Sequence, residues 1–269
     1  MPHIAFARKY RPRLFGDVTA QEHVSETLKR AIADDRVGHA YLFCGPRGVG
    51  KTTLARVLSM SLNCGDRAKD GEPCGACDSC NRIWSGKTAL DVVEIDAASN
   101  RGVEDARQLR ERAMYAPSQE GSHKVYIVDE AHMLTREAWN ALLKILEGST
   151  AQVPPQGGRK HPQQEYLQID TTNILFIVGG AFDGLEEIIV NRLGESSVGF
   201  NAKVKSSSTE NIDVFSKVEP QDFIKYGLIP EFVGRMPILA TLADLDEDSL
   251  VKILKEPKNS LIKQYKKLF

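Results

Sequence analysis

The chain has 269 residues, 42% hydrophobic and 26% charged, an ordinary globular balance with room for one large core or one domain plus insertions. Its formal net charge of −1 excludes a global basic field, so any nucleic-acid role needs a local patch or a partner. The longest apolar run, ILFIV, is far too short to cross a bilayer, and the basic start MPHIAFARKYRPRLFGDV lacks the apolar run of a signal peptide, so a cytoplasmic protein with no membrane partner is expected.

In chain order, QEHVSETLKRAIADD places Val24, Leu28, Ala31 and Ile32 on one helical face. AYLFCG is a short buried strand running into a Gly-rich turn, and KTTLARVLSMSLN is the helix after it. DVVEID reads as a strand and EDARQLRERAMY as a helix. KVYIVDEAH is a strand ending in two acids, followed by the helix REAWNALLKILEG. TNILFIVGG and PILATL complete five strands, and the Ser-rich GESSVGFNAKVKSSSTENID between them reads as a polar loop. Strands alternating with helices imply a parallel sheet covered by helices, an α/β fold.

The segment GPRGVGKT fits G-x-x-x-x-G-K-[ST] and sits between a strand and a helix, the context that this motif requires. Backbone N–H groups of Gly45, Pro46, Arg47, Gly48, Val49 and Gly50 would wrap phosphates, excepting the imino nitrogen of Pro46. Lys51 would reach the β/γ-phosphates, Thr52 would offer its hydroxyl to Mg²⁺, and Thr53 follows on the same helix turn. Asp129, at the end of VYIVDE, is placed to hold Mg²⁺, and Glu130 to orient the attacking water. ATP or ADP with Mg²⁺ is therefore the expected nucleotide ligand.

Four of the five cysteines, Cys64, Cys74, Cys77 and Cys80, fall within 17 residues, as one upstream thiol and two overlapping C-x-x-C steps. Four thiolates can close a tetrahedral shell around structural Zn²⁺; disulfides are the alternative, one that an intracellular protein disfavours. Cys44, on the strand before the Gly-rich turn, reads as a buried apolar residue.

The stretches KYRPRLFGDVTAQEHV, HAYLFCGPRGVGKTT, the four-Cys module, VEIDAASNRGVEDAR and VYIVDEAHMLTREAWNALLK resemble the bacterial DNA polymerase III gamma/tau subunit, a clamp-loader ATPase of the AAA+ superfamily, over residues 8–144. From residue 142 onward, LLKILEGSTAQVPPQGGRKHPQQ, TTNILFIVGGAFDGLEEII and KYGLIPEFVGRMPILATL are similar to the AAA+ unfoldase ClpX. The two resemblances imply a hybrid AAA+ large subdomain, clamp-loader-like over 1–144 with its zinc module at 64–80, and ClpX-like over 145–269, with no small lid domain. The implied fold is a P-loop NTPase with a five-stranded parallel sheet flanked by helices.

The implied activity is Mg-dependent ATP hydrolysis with Lys51, Glu130 and Arg235 as its catalytic set. It would be weak in a monomer, because Arg235 matches an arginine that acts on a neighbouring AAA+ subunit's nucleotide. Gly158 and His161 bound a segment matching a substrate-touching pore loop, and Val198 and Phe200 bound a tripeptide matching the ClpP-docking loop. The implied partners are clamp-loader subunits, a sliding clamp and primed DNA on one side, and ClpP on the other. The strand-end sensor position falls among Gly179, Gly180 and Ala181, whose side chains cannot touch a phosphate.

Overall fold

The computed structural model describes residues 11–86, 91–99, 122–146, 150–153, 167–170, 174–195, 214–256 and 260–268. The helix read from EDARQLRERAMY, the pore-loop segment at 158–161, the tripeptide at 198–200 and most of the Ser-rich loop lie outside the described residues.

Seven strands are described: β1 (Ala40–Cys44), β2 (Val92–Asp96), β3 (Lys124–Asp129), β4 (Thr150–Val153), β5 (Leu167–Asp170), β6 (Ile174–Gly180) and β7 (Ile238–Thr241). Five form one all-parallel sheet in the order β2-β3-β6-β1-β7, and β4 pairs antiparallel with β5. The expected five-stranded sheet is thus the observed one, flanked by helices and carrying the four-Cys module. Every residue of β1 and β6 is buried, as central strands covered on both faces require. At the edge, β7 is half-buried along its length.

The period of two sorts β1 between two cores. Ala40, Leu42 and Cys44 face a cluster containing Trp139, Phe182, Phe223 and Phe232, while Tyr41 and Phe43 face one containing Phe15, Leu28, Leu54 and Leu58. Cys44 is fully buried there, as its apolar reading requires.

The second core is roofed by α1 (Glu22–Ala33), which buries Val24, Ser25, Leu28 and Ile32, and by α2 (Lys51–Leu62). A short α3 (Asp78–Ser85) carries the last cysteine. The first core is covered by α4 (Arg136–Leu146), α5 (Leu185–Glu195), α6 (Pro220–Tyr226) and α7 (Pro230–Val233). Residue 144, where the two resemblances meet, falls inside α4. A buried ion pair holds α5 to α6: Arg192 donates to fully buried Asp222 at 2.8 and 3.0 Å and to Glu219 at 2.8 Å. Asp222 also closes a capping box with Glu219, and Gly227 ends α6. Two further helices, α8 (Glu247–Lys255) and α9 (Leu261–Leu268), follow β7. None of the helices is long and apolar enough to cross a membrane, among the described residues.

Candidate functional site

The Gly-rich loop leaves the C-terminal edge of β1 and delivers the chain into α2. At Gly45, φ is +143°, and a Cβ there would stand 2.4 Å from the Leu242 carbonyl oxygen just past β7. A side chain is excluded at this position on both counts. Lys51, the first residue of α2, is buried, and its ammonium donates to the carbonyls of Gly45 at 2.7 Å and Pro46 at 2.6 Å. Burial lowers its pKa, and the carboxylates of Glu130 and Asp129 oppose that shift. Thr52 donates its hydroxyl to Asp129 at 2.5 Å, so the two expected Mg²⁺-side groups meet each other. Arg47 pairs with Asp183, both well exposed, at 2.9 Å.

Glu130 is a different matter. It has φ +48°, and its carboxylate accepts from the Ala181 N–H at 3.3 Å. The same oxygen lies 3.5 Å from Nδ1 of His132, without hydrogen-bond geometry. The acid is therefore turned onto the end of β6. That strand end is already filled, because a Cβ on Gly180 would stand 2.9 Å from the Phe182 ring and 3.1 Å from His132 Nδ1. A side chain at Gly180 would have to displace Phe182 and His132, whereas at Gly179 a Cβ would meet only ordinary contacts, 3.6 Å from the Asp129 carboxylate. Neither residue was legible as part of the site: Phe182 reads as an ordinary core aromatic, and His132 has no motif of its own beyond the acidic pair it follows. Arg235 is exposed and precedes β7, which runs parallel to β1. It stands toward the N-terminal edge of the sheet, whereas the Gly-rich loop leaves the C-terminal edge, so one chain does not bring it together with Lys51 and Glu130.

The four module cysteines are free thiols, which sets the disulfide alternative aside. Their Sγ atoms all lie within 4.8 Å of one another, with Cys64 to Cys77 at 3.9 Å and Cys74 to Cys80 at 4.0 Å. Four Zn–S bonds of about 2.3 Å in a tetrahedron put sulfurs about 3.8 Å apart, so the set fits that ion. Backbone N–H groups of Cys74, Cys77 and Cys80 point at the sulfurs of Cys64, Cys74 and Cys77 at 3.3, 3.3 and 3.5 Å. The backbone N–H groups of Ala76 and then Cys77 hold the Cys74 thiol down at about 7, while burial pushes those of Cys64 and Cys80 up. A buried site able to coordinate a metal is present.

Residues 20–153 match the family model described as DNA polymerase III, delta subunit. The match covers just under half of the chain, and its bounds enclose the Gly-rich loop, the four cysteines, β3 and α4. It corrects the resemblances drawn from sequence: the similarity is to this clamp-loader family, neither to the gamma/tau ATPase nor to ClpX. It also corrects the expected enzyme. The delta family is structurally AAA+-like and catalytically inactive, so an ATPase built on Lys51, Glu130 and Arg235 does not stand, and neither does an unfoldase working with ClpP.

Proposed function

We propose that this chain is a non-hydrolysing, AAA+-like subunit of a clamp-loading assembly, with Zn²⁺ as the ion of its four-Cys module. The observation that carries this reading is the delta-family match, which spans the Gly-rich loop and β3. Partners would be other clamp-loader subunits and, through them, a sliding clamp on primed DNA. The net charge of −1 suits a protein that reaches DNA through an assembly.

The loop itself is read as a holder of nucleotide that is bound without turnover. Lys51 and Thr52 would hold phosphate and Mg²⁺ in place of the carbonyls and carboxylate they now touch. Two measurements test the reading. Purified protein should release phosphate from ATP no faster than its Lys51→Ala variant, and it should co-elute with clamp-loader subunits in size-exclusion chromatography. Phosphate release that drops in Lys51→Ala would overturn the non-hydrolysing reading. Failure to join the subunits would overturn the assembly. Loss of ADP binding heat in Lys51→Ala isolates the role of the loop as a holder.

A further inference from the structure

The four-Cys module touches more than its own sulfurs. A strap, residues 11–17, crosses it on the way to α1. Arg13 donates to the Gly75 carbonyl at 3.1 Å and to Asn81 at 3.0 Å, and its guanidinium stacks 4.0 Å over the ring of Trp84. Trp84 in turn donates its indole N–H to the Arg11 carbonyl at 3.2 Å. The Phe15 N–H donates to one carboxylate oxygen of Glu72, and the other oxygen pairs with Lys29 of α1 at 3.0 Å. Leu14 packs so closely on Gly75 that a Cβ there would stand 3.3 Å from it.

These anchor points share one property. Gly75 lies between the ligands Cys74 and Cys77, Asn81 follows the ligand Cys80, and Glu72 is two residues before Cys74. The turn that presents the sulfurs is the same turn that presents the strap's partners. Within it, Asn81 also donates to the Ala76 carbonyl at 2.7 Å, so the Arg13 seat and the ligand turn are one hydrogen-bonded unit.

We propose that the metal in the four-Cys module is the keystone of the N-terminal strap: ion bound, residues 11–17 are locked down over Phe15; ion lost, the strap lifts as a local unit while the sheet stays folded. This rests on the zinc reading. The strap belongs to the low-stability end of the molecule because it is held by a few partly buried polar contacts, with Phe15 as its one fully buried side chain. Its release would uncover Phe15 and free two arginines.

The chain has only two tryptophans, so a Trp139→Phe protein reports from Trp84 alone. Zinc content is measured first, before and after adding Zn²⁺. A protein that carries none and takes none up overturns the zinc reading, and this inference with it. In loaded protein, displacing the ion with an organomercurial and chelator should speed tryptic cutting after Arg13 by about tenfold or more and raise acrylamide quenching of Trp84, with far-UV circular dichroism unchanged. Glu72→Gln should keep one equivalent of zinc yet speed the same cut. An Arg13–Leu14 bond equally resistant with and without metal overturns the proposal. So does loss of the whole circular dichroism signal on metal removal, which would make the ion a holder of the fold rather than of the strap.

Discussion

The Gly-rich loop and the four-Cys module sit at opposite ends of α2, and both are tight turns rich in polar backbone. In the loop, the polar groups satisfy one another: the ammonium of Lys51 rests on two carbonyls, and the hydroxyl of Thr52 rests on Asp129. In the module, three N–H groups point inward at sulfur, and four Sγ atoms are gathered within 4.8 Å of one another. The loop closes on its own contacts, whereas the module gathers four sulfur donors in the arrangement that a metal ion takes. One turn is stable by itself and available to a ligand. The other is organised around a ligand.

That contrast can be broken most directly at Cys80, which is fully buried. Cys80→Ser should abolish one equivalent of bound zinc and lower Tm by about 10 °C, since binding energy at a structural zinc site counts as folding energy. Gly45→Ala should cost about 3 kcal/mol in denaturant unfolding, because the added methyl meets the Leu242 carbonyl and the backbone is in a region closed to alanine. A Gly45→Ala penalty larger than that of Cys80→Ser would reverse the comparison. Gly180→Ser should cost about 1–2 kcal/mol through Phe182 and His132 and gain no phosphate release, despite restoring a hydroxyl at the strand end.

The smallest effect lies at Asp70, whose carboxyl Lys29 holds below its usual range by a 2.9 Å ion pair. A depressed carboxylate stabilises above its unfolded pKa and loses that contribution as pH falls through the folded value. Asp70→Asn should therefore flatten the fall of Tm on the acid side of pH 4 and change little at neutral pH, as thermal melts across that range would show.

The strands, the Gly-rich loop and the cysteine set could be read from sequence because each is local: a run of apolar residues, a glycine spacing, two C-x-x-C steps. Even the missing sensor side chain at Gly179, Gly180 and Ala181 was legible. What filled its place was not, since Phe182 and His132 meet at that point only through the crossover from β3 to β6. The strap on Arg13, Glu72 and Trp84 is hidden for the same reason, the partners of Arg13 and Trp84 lying 62 to 73 residues away. The expectation of hydrolysis failed differently. A phosphate-loop motif reports that a backbone can cradle phosphate; it does not report turnover, and the family match is what weighs against that.

The strand order has one last consequence. The delta-family match ends at residue 153, yet β1 lies between β6 and β7, both contributed by residues beyond it. A fragment cut at 153 keeps the loop, the cysteines and the β2–β3 pair, but strips β1 of both neighbours. The stretch that sequence similarity marks as a unit is thus not a unit of cooperative folding. The two pieces would have to interdigitate, strand by strand, before either acquired a core.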